Sequence, residues 1–157
     1  MLPLRLVSAL AASVWVGGAV AIGLVVAPAA FAVLPASAAA TLVGETLRRF
    51  HLVMYGAGAV LLVSLAGMAL LGPRPHVFWG RLAVAGLMLA AALVSGLWVD
   101  RRIATLRADI AVPVSSLPAD DARRAAFGRL HGLSTLLLAA TVAGGIALIY
   151  WQTRDLR

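Results

Sequence analysis

The most restrictive feature of this chain is a run from Leu6 to about Leu34 that contains no charged side chain. A helix rising 1.5 Å per residue needs about 20 mostly apolar residues to cross a hydrocarbon core about 30 Å thick. The run exceeds that length, and Pro35 follows it. Three further runs qualify: about Phe50 to Leu71, ended by Gly72-Pro73 with Pro75 close behind; a stretch from Val77 that is free of charge between Arg81 and Asp100; and the segment from Arg129 through Trp151. Lipid offers no partner for an open backbone, so each span is expected to be helical. The sequence therefore predicts an all-α fold, a four-helix transmembrane bundle running up-down-up-down. One membrane domain would occupy residues 1–157, with spans about 6–34, 50–71, 77–99 and 129–151 and a polar loop over 100–128. Arg5 and the Ala30-Phe31-Ala32 triplet also fit a signal peptide, but signal cores run about 7–15 residues and this one is longer.

Composition agrees with a lipid solvent. Of 157 residues, 62% are hydrophobic and 12% charged, which leaves too few polar groups to coat a water-soluble globule. Trp79 and Trp98 bracket the third run about 28 Å apart along a helix, one membrane thickness, as expected of interfacial aromatics. The net charge of +7 comes from 13 basic residues, all Arg, set at the ends of apolar runs. That placement fits lipid headgroups and excludes a nucleic-acid-binding face. Eight arginines fall on the side of the first and third loops and five on the other, which predicts those two loops in the cytoplasm. Arg usage without Lys is a habit of GC-rich bacterial genomes, so the expected location is a bacterial inner membrane. The absence of Cys excludes disulfides, thiolate metal sites and cysteine nucleophiles.

The connections carry their own signals. Pro35 to Arg49 reads as a short interfacial helix leading into the second span. Ile103, Leu106 and Ile110 fall at helical spacing, so the third helix is expected to project from the membrane until Pro113 stops it. Ser115, Ser116, Pro118 and Asp120-Asp121 read as the start of the fourth helix, with a hydroxyl cap and acids at its positive end. Within the spans, Gly17-Gly18, Gly23, Gly56, Gly58, Gly67, Gly86, Gly96 and Gly144 are expected to let helices approach closely. Pro28 is expected to bend or break the first helix.

Ionisable groups at membrane depth are candidates for function. His51 opens the second span and His131 the fourth, and in this topology both lie toward the same membrane face. Tyr55 and Thr135 each follow a histidine by four residues, Ser134 adjoins Thr135, and Asp100, Arg101 and Arg129 lie on the same side. Such a set could form a polar network, handle protons, or supply two metal ligands, His51 and His131, to copper or haem. His76 reads as interfacial. No HExxH helix, Walker loop, GxSxG elbow or carboxylate pair is present, so an enzyme is not expected.

Trp15-Val16-Gly17-Gly18, Val25 through Phe31, Phe50-His51 and Phe127 through Ser134 together resemble the transmembrane protein 205-like family, small four-helix membrane proteins that include bacterial domains of unknown function. Family members often place Asn four residues after that Ser, where this chain has Leu138. The resemblance implies a multi-pass protein without a defined activity and suggests export or trafficking; the expected function is transport, trafficking or envelope stress tolerance. The Trp-x-Gly-Gly signature is also similar to that of copper-resistance D-type membrane proteins, which implies copper binding by helix histidines. Expected partners are membrane lipid, a second copy of the chain, or a larger membrane complex that packs on small-residue faces.

Overall fold

A computed structural model describes residues 2–155 other than Pro73, Ala111 and Pro113. The expected stops at Pro73 and Pro113, the orientation signal of Arg157 and the side chain of Ser115 lie outside what it describes. Four helices account for most of the chain: α1 (Leu2–Val33), α2 (Ala36–Leu71), α3 (Phe78–Ala108) and α4 (Ala122–Arg154). Each is long and apolar enough to cross a membrane. No strand occurs among the described residues.

The helices are longer than the expected spans. At 31 to 36 residues they reach about 46–54 Å, well beyond a core of about 30 Å. The excess lies mainly on one side. The segment expected as a separate interfacial helix is continuous with α2, and α3 and α4 both extend into the stretch expected as polar loop. There Arg107 ties three helices together: its guanidinium donates to the Ala40 carbonyl at 3.5 Å and lies 5.3 Å from the centre of the Phe127 ring. Val114–Ser116 forms a 3-10 turn, and the cap of α4 is Asp121, which accepts from the Arg123 backbone N–H at 2.8 Å.

Local chemistry explains the reversals. Leu34 precedes Pro35, whose ring disfavours helical backbone before it, and Leu34 is extended at φ −116° and ψ 152°. The chain turns there, and α2 begins at Ala36 with Pro35 as its cap. Val77 opens α3 in the left-handed region, φ 54° and ψ 39°, a conformation that costs about 1–3 kcal/mol for a branched side chain. Pro28 does not end α1. A π-helical turn over Ile22–Val26 lies just ahead of it, with the Ala27 N–H reaching back to the Ile22 carbonyl, and this wider turn accommodates the proline while the helix continues to Val33.

Each helix packs on its neighbours in the chain, and α1 also packs on α4, so the ring closes. The diagonals are α1 with α3 and α2 with α4. The bundle is apolar outside and partly polar inside. Leu24, Val63, Leu70, Leu87 and Leu136 face outward, whereas Ser8, His51, Ser64, Arg81, Ser95, Ser134 and Thr141 are buried beside Trp15, Met54, Leu61 and Met88. Water would favour the reverse arrangement; lipid favours this one.

Some of the expected glycine contacts are made and others are not. A Cβ on Gly18 would strike the Phe50 ring, and one on Gly145 would strike Val16, whereas Gly17, Gly23, Gly56 and Gly86 have nothing within 4 Å. Gly145→Leu is therefore expected to destabilise the bundle by about 1–3 kcal/mol through overpacking, while Gly17→Leu leaves it near the parent. Thermal unfolding in a neutral detergent compares the two.

The Arg123 guanidinium, and after it the Arg123 backbone N–H, hold the Asp121 carboxyl at about 2. Because this folded value is depressed, the cap is at full strength above the ordinary carboxylate range and weakens as pH falls from there toward about 2. Asp121→Ala should fray the first turn of α4 at neutral pH, read as faster amide exchange over residues 123–126 with exchange in the spans unchanged.

Candidate functional site

About 30 Å of helix separates His51 from the end of α2 at Leu71, which places it near the opposite membrane level. It is 3% exposed. Its Nδ1 lies 3.1 Å from Oδ2 of Asp100 on α3, close enough for strong electrostatic contact but off the line a directed N–H bond would need. Tyr55, one turn further along α2, stacks on the imidazole with ring centres 6.1 Å apart. The pairing of His51 with Tyr55 on one helical face is as the four-residue spacing requires.

The α3 side of the site is shaped by a second π-helical turn, Ser95–Val99, which ends where Asp100 begins. One extra residue in a turn rotates everything after it by about 100° relative to a continuous helix, so this turn sets the direction in which Asp100 leaves the backbone. Gly96 lies within it. A Cβ there would collide with the Tyr55 hydroxyl and sit 2.9 Å from His51 Cγ, so only glycine lets α2 and α3 approach this closely. Below the imidazole, Ser95 and Ser134 hydroxyls meet at 3.4 Å between α3 and α4. A gap lined by His51, Met54, Ala92, Ser95, Leu138 and Thr141 is too narrow for a water molecule.

The remaining expected residues are placed elsewhere. His131 is exposed on α4 and stacks on Phe127 at 5.9 Å with nearly parallel planes. Thr135 is exposed and donates to the His131 carbonyl at 3.0 Å, and Arg101 and Arg129 are exposed. The inward stripe of α4 runs through Ser134, Thr141, Gly145 and Leu148, and His131 falls to one side of it. The two imidazoles thus sit on diagonal helices, one packed against Asp100 and the other on an outer face. Among the described residues no three of His, Asp and Glu come together as a metal-holding group.

A second polar cluster, at the other end of the bundle, escaped the sequence reading. Arg81, expected only as a flanking charge, is 1% exposed. Its Nη1 meets Asp155 Oδ2 at 2.6 Å, and Nη2 donates to the Trp151 carbonyl at 2.6 Å. Arg5 donates to the Asp155 carbonyl at 3.1 Å, and Gln152 donates to the Ser8 hydroxyl at 2.9 Å. The usable signal was topological: an up-down bundle brings residues 5, 81 and 152–155 to one membrane level, and Asp155 is the acid there.

A family model for a domain of unknown function, DUF4149, matches residues 10–111. The chain belongs to that family. The matched region of this DUF4149 chain includes Trp15, His51, Gly96 and Asp100, and therefore both sides of the imidazole–carboxylate contact. It excludes α4 and with it Phe127 through Ser134, the stretch that most resembled the transmembrane protein 205-like family. No curated protein and no solved structure matches the chain.

Gly96→Ala tests whether close approach builds this site. The added methyl should push Tyr55 and His51 aside and cost about 1–3 kcal/mol, with a change in the fluorescence of nearby Trp98. Gly86→Ala on the same helix, with nothing within 4 Å, should leave both readouts unchanged.

Proposed function

We propose that this DUF4149 protein is a non-enzymatic component of a bacterial inner membrane, acting in transport, trafficking or envelope stress tolerance through a proton-responsive contact between His51 and Asp100. The observation that carries the reading is the 3.1 Å approach of a buried imidazole to a carboxylate on a neighbouring helix, at the end of a π-helical turn. A histidine beside a carboxylate can hold a proton on either partner, and gaining or losing one changes the attraction between α2 and α3. A π-helical turn is a local departure from α register of the kind frequently found at functional sites. Coupling the two gives a membrane helix pair with a protonation-dependent register, the kind of two-state element that moving a substrate or signalling across a membrane requires.

The transport or trafficking part of the reading also follows the resemblance to the transmembrane protein 205-like family, which suggests export or trafficking. The alternative of copper or haem held between His51 and His131 draws no support from rings on diagonal helices, one of which packs on Phe127.

The test is complementation. In cells lacking the protein and challenged with envelope stress, the wild-type chain is expected to restore growth. His51→Gln and Asp100→Asn, made to normal levels in the membrane fraction, are expected to fail, and His131→Gln to succeed. Full restoration by His51→Gln overturns the reading.

A further inference from the structure

The Arg81 cluster opens onto a cavity of about 190 Å³ that lies among all four helices at the membrane level opposite His51. Its polar wall is Arg5, Ser8, Arg81, Gln152 and Asp155; its apolar wall includes Leu2, Leu6 and Met68. Leu2 and Leu6 are also exposed on the outer surface of α1, so the apolar wall is continuous with the lipid-facing side of the bundle.

Two features of the polar wall are unbalanced. Among the described residues two guanidinium groups face one carboxylate, and Asp155 already forms its 2.6 Å contact with Arg81, so Arg5 has a backbone carbonyl as its acceptor. Among the described residues, Arg5 is left without an acid partner. In addition, Arg81 Nε and Gln152 Oε1 are buried with no hydrogen-bond partner. Buried polar atoms without partners in a well-packed protein call for a ligand or water to complete them. A carboxylate accepts from guanidinium N–H groups and balances their charge at once, while the Gln152 oxygen needs a donor such as water beside it.

Size and lining narrow the chemistry. A cavity of about 150 Å³ accommodates benzene, so this one holds a small head and a few methylene groups but not a glycerophosphate with two chains. We propose that the cavity binds the carboxylate head of a single-chain amphiphile of the fatty-acid type, its oxygens toward Arg5 and Arg81 and its chain leaving past Leu2 and Leu6 into the bilayer. The site stands apart from the His51–Asp100 contact, on different helix ends, and does not depend on the role proposed for that pair.

Binding is measured on the full chain in a neutral detergent, by native mass spectrometry and by ligand-dependent thermal stabilisation. Palmitate is expected to bind saturably at one per chain, and hexadecanol, which keeps the chain and lacks the charge, to bind at least about tenfold more weakly. Arg5→Gln removes the Arg5 charge while keeping the Arg81–Asp155 pair, and should lose palmitate binding by a similar factor with its unliganded melting temperature close to the parent's. Leu6→Trp, which fills the apolar wall, should block palmitate as well. Equal binding of palmitate and hexadecanol, or undiminished palmitate binding by both variants, overturns the proposal. Saturable binding of inorganic phosphate alone, or of phosphatidylglycerol in preference to palmitate, also overturns it by assigning the site to a free anion or to a phospholipid headgroup.

Discussion

Close contact between small residues on facing helices is what the rest of this structure depends on. Lipid tails are as apolar as the helix surfaces, so burying leucine against leucine gains little over leaving it in the bilayer. What remains is van der Waals contact at short range, which falls away steeply once a gap opens. Trp15, fully buried at the centre, shows how the contact is made. Its ring reaches the surface of α2 at Gly58, where a Cβ would lie 3.1 Å from Trp15 Cζ3 and 2.8 Å from Leu89 Cδ1 of α3. One missing methyl group thus lets three helices meet. The indole N–H has no partner there, a desolvation cost of about 1–3 kcal/mol that the packing offsets.

Polar residues complement that seam at its two ends. Placing charges at the bilayer centre is the most expensive choice, and the middle of this bundle carries uncharged polar groups, such as Ser64 and the Thr141 side chain bonded to the Leu138 carbonyl at 2.8 Å. The ionised or ionisable contacts are displaced toward the two membrane levels, Arg81 with Asp155 at one and His51 with Asp100 at the other. Each joins helices that are neighbours in the ring: α3 to the end of α4, and α2 to α3. Polar contacts at the ends, directed hydrogen bonds at Arg81 and an electrostatic contact at His51, fix the axial register of the helices, which close packing of small groups leaves free to slide.

The helices and their order were legible because bilayer thickness imposes a length that few soluble sequences imitate. The ends of the helices were less so. Charge marks where lipid stops, not where a helix stops, and Glu45, Arg48 and Arg49 are as compatible with a projecting helix as with a loop; the three form an exposed ion-pair group on one helical face. Of the site, His51, Tyr55 and Asp100 were legible as polar residues at one depth, and Ser134 as their neighbour. The phase of α4 was not, because Phe127, Leu130, Leu133, Leu136 and Leu138 are spread round the helix and give no single apolar stripe to orient it. Nor do adjacent glycines announce which of them faces a partner: Gly18 meets Phe50, while Gly17 meets nothing. Arg81 was hidden for a related reason, since an arginine at the end of an apolar run looks the same whether it reaches headgroups or a buried carboxylate.

The two clusters share α3, and their arrangement along it limits what that helix can do. Near its start, Arg81 is held by two contacts of 2.6 Å to the end of α4, and Gly80 lets the left-handed Val77 fold back onto the first turn. That end is anchored. The π-helical turn begins at Ser95, about 21 Å of helix further on, and Asp100 stands immediately beyond it. The stretch that follows the turn is held separately, with Arg102 over Trp98 and Arg107 reaching Ala40 and Phe127. Conversion of the turn to α register would rotate this projecting segment against α2 and α4 while leaving the anchored half in place. On the proposed function, such a rotation would be confined to one membrane face, and the interior packing around Trp15 would not have to open for it.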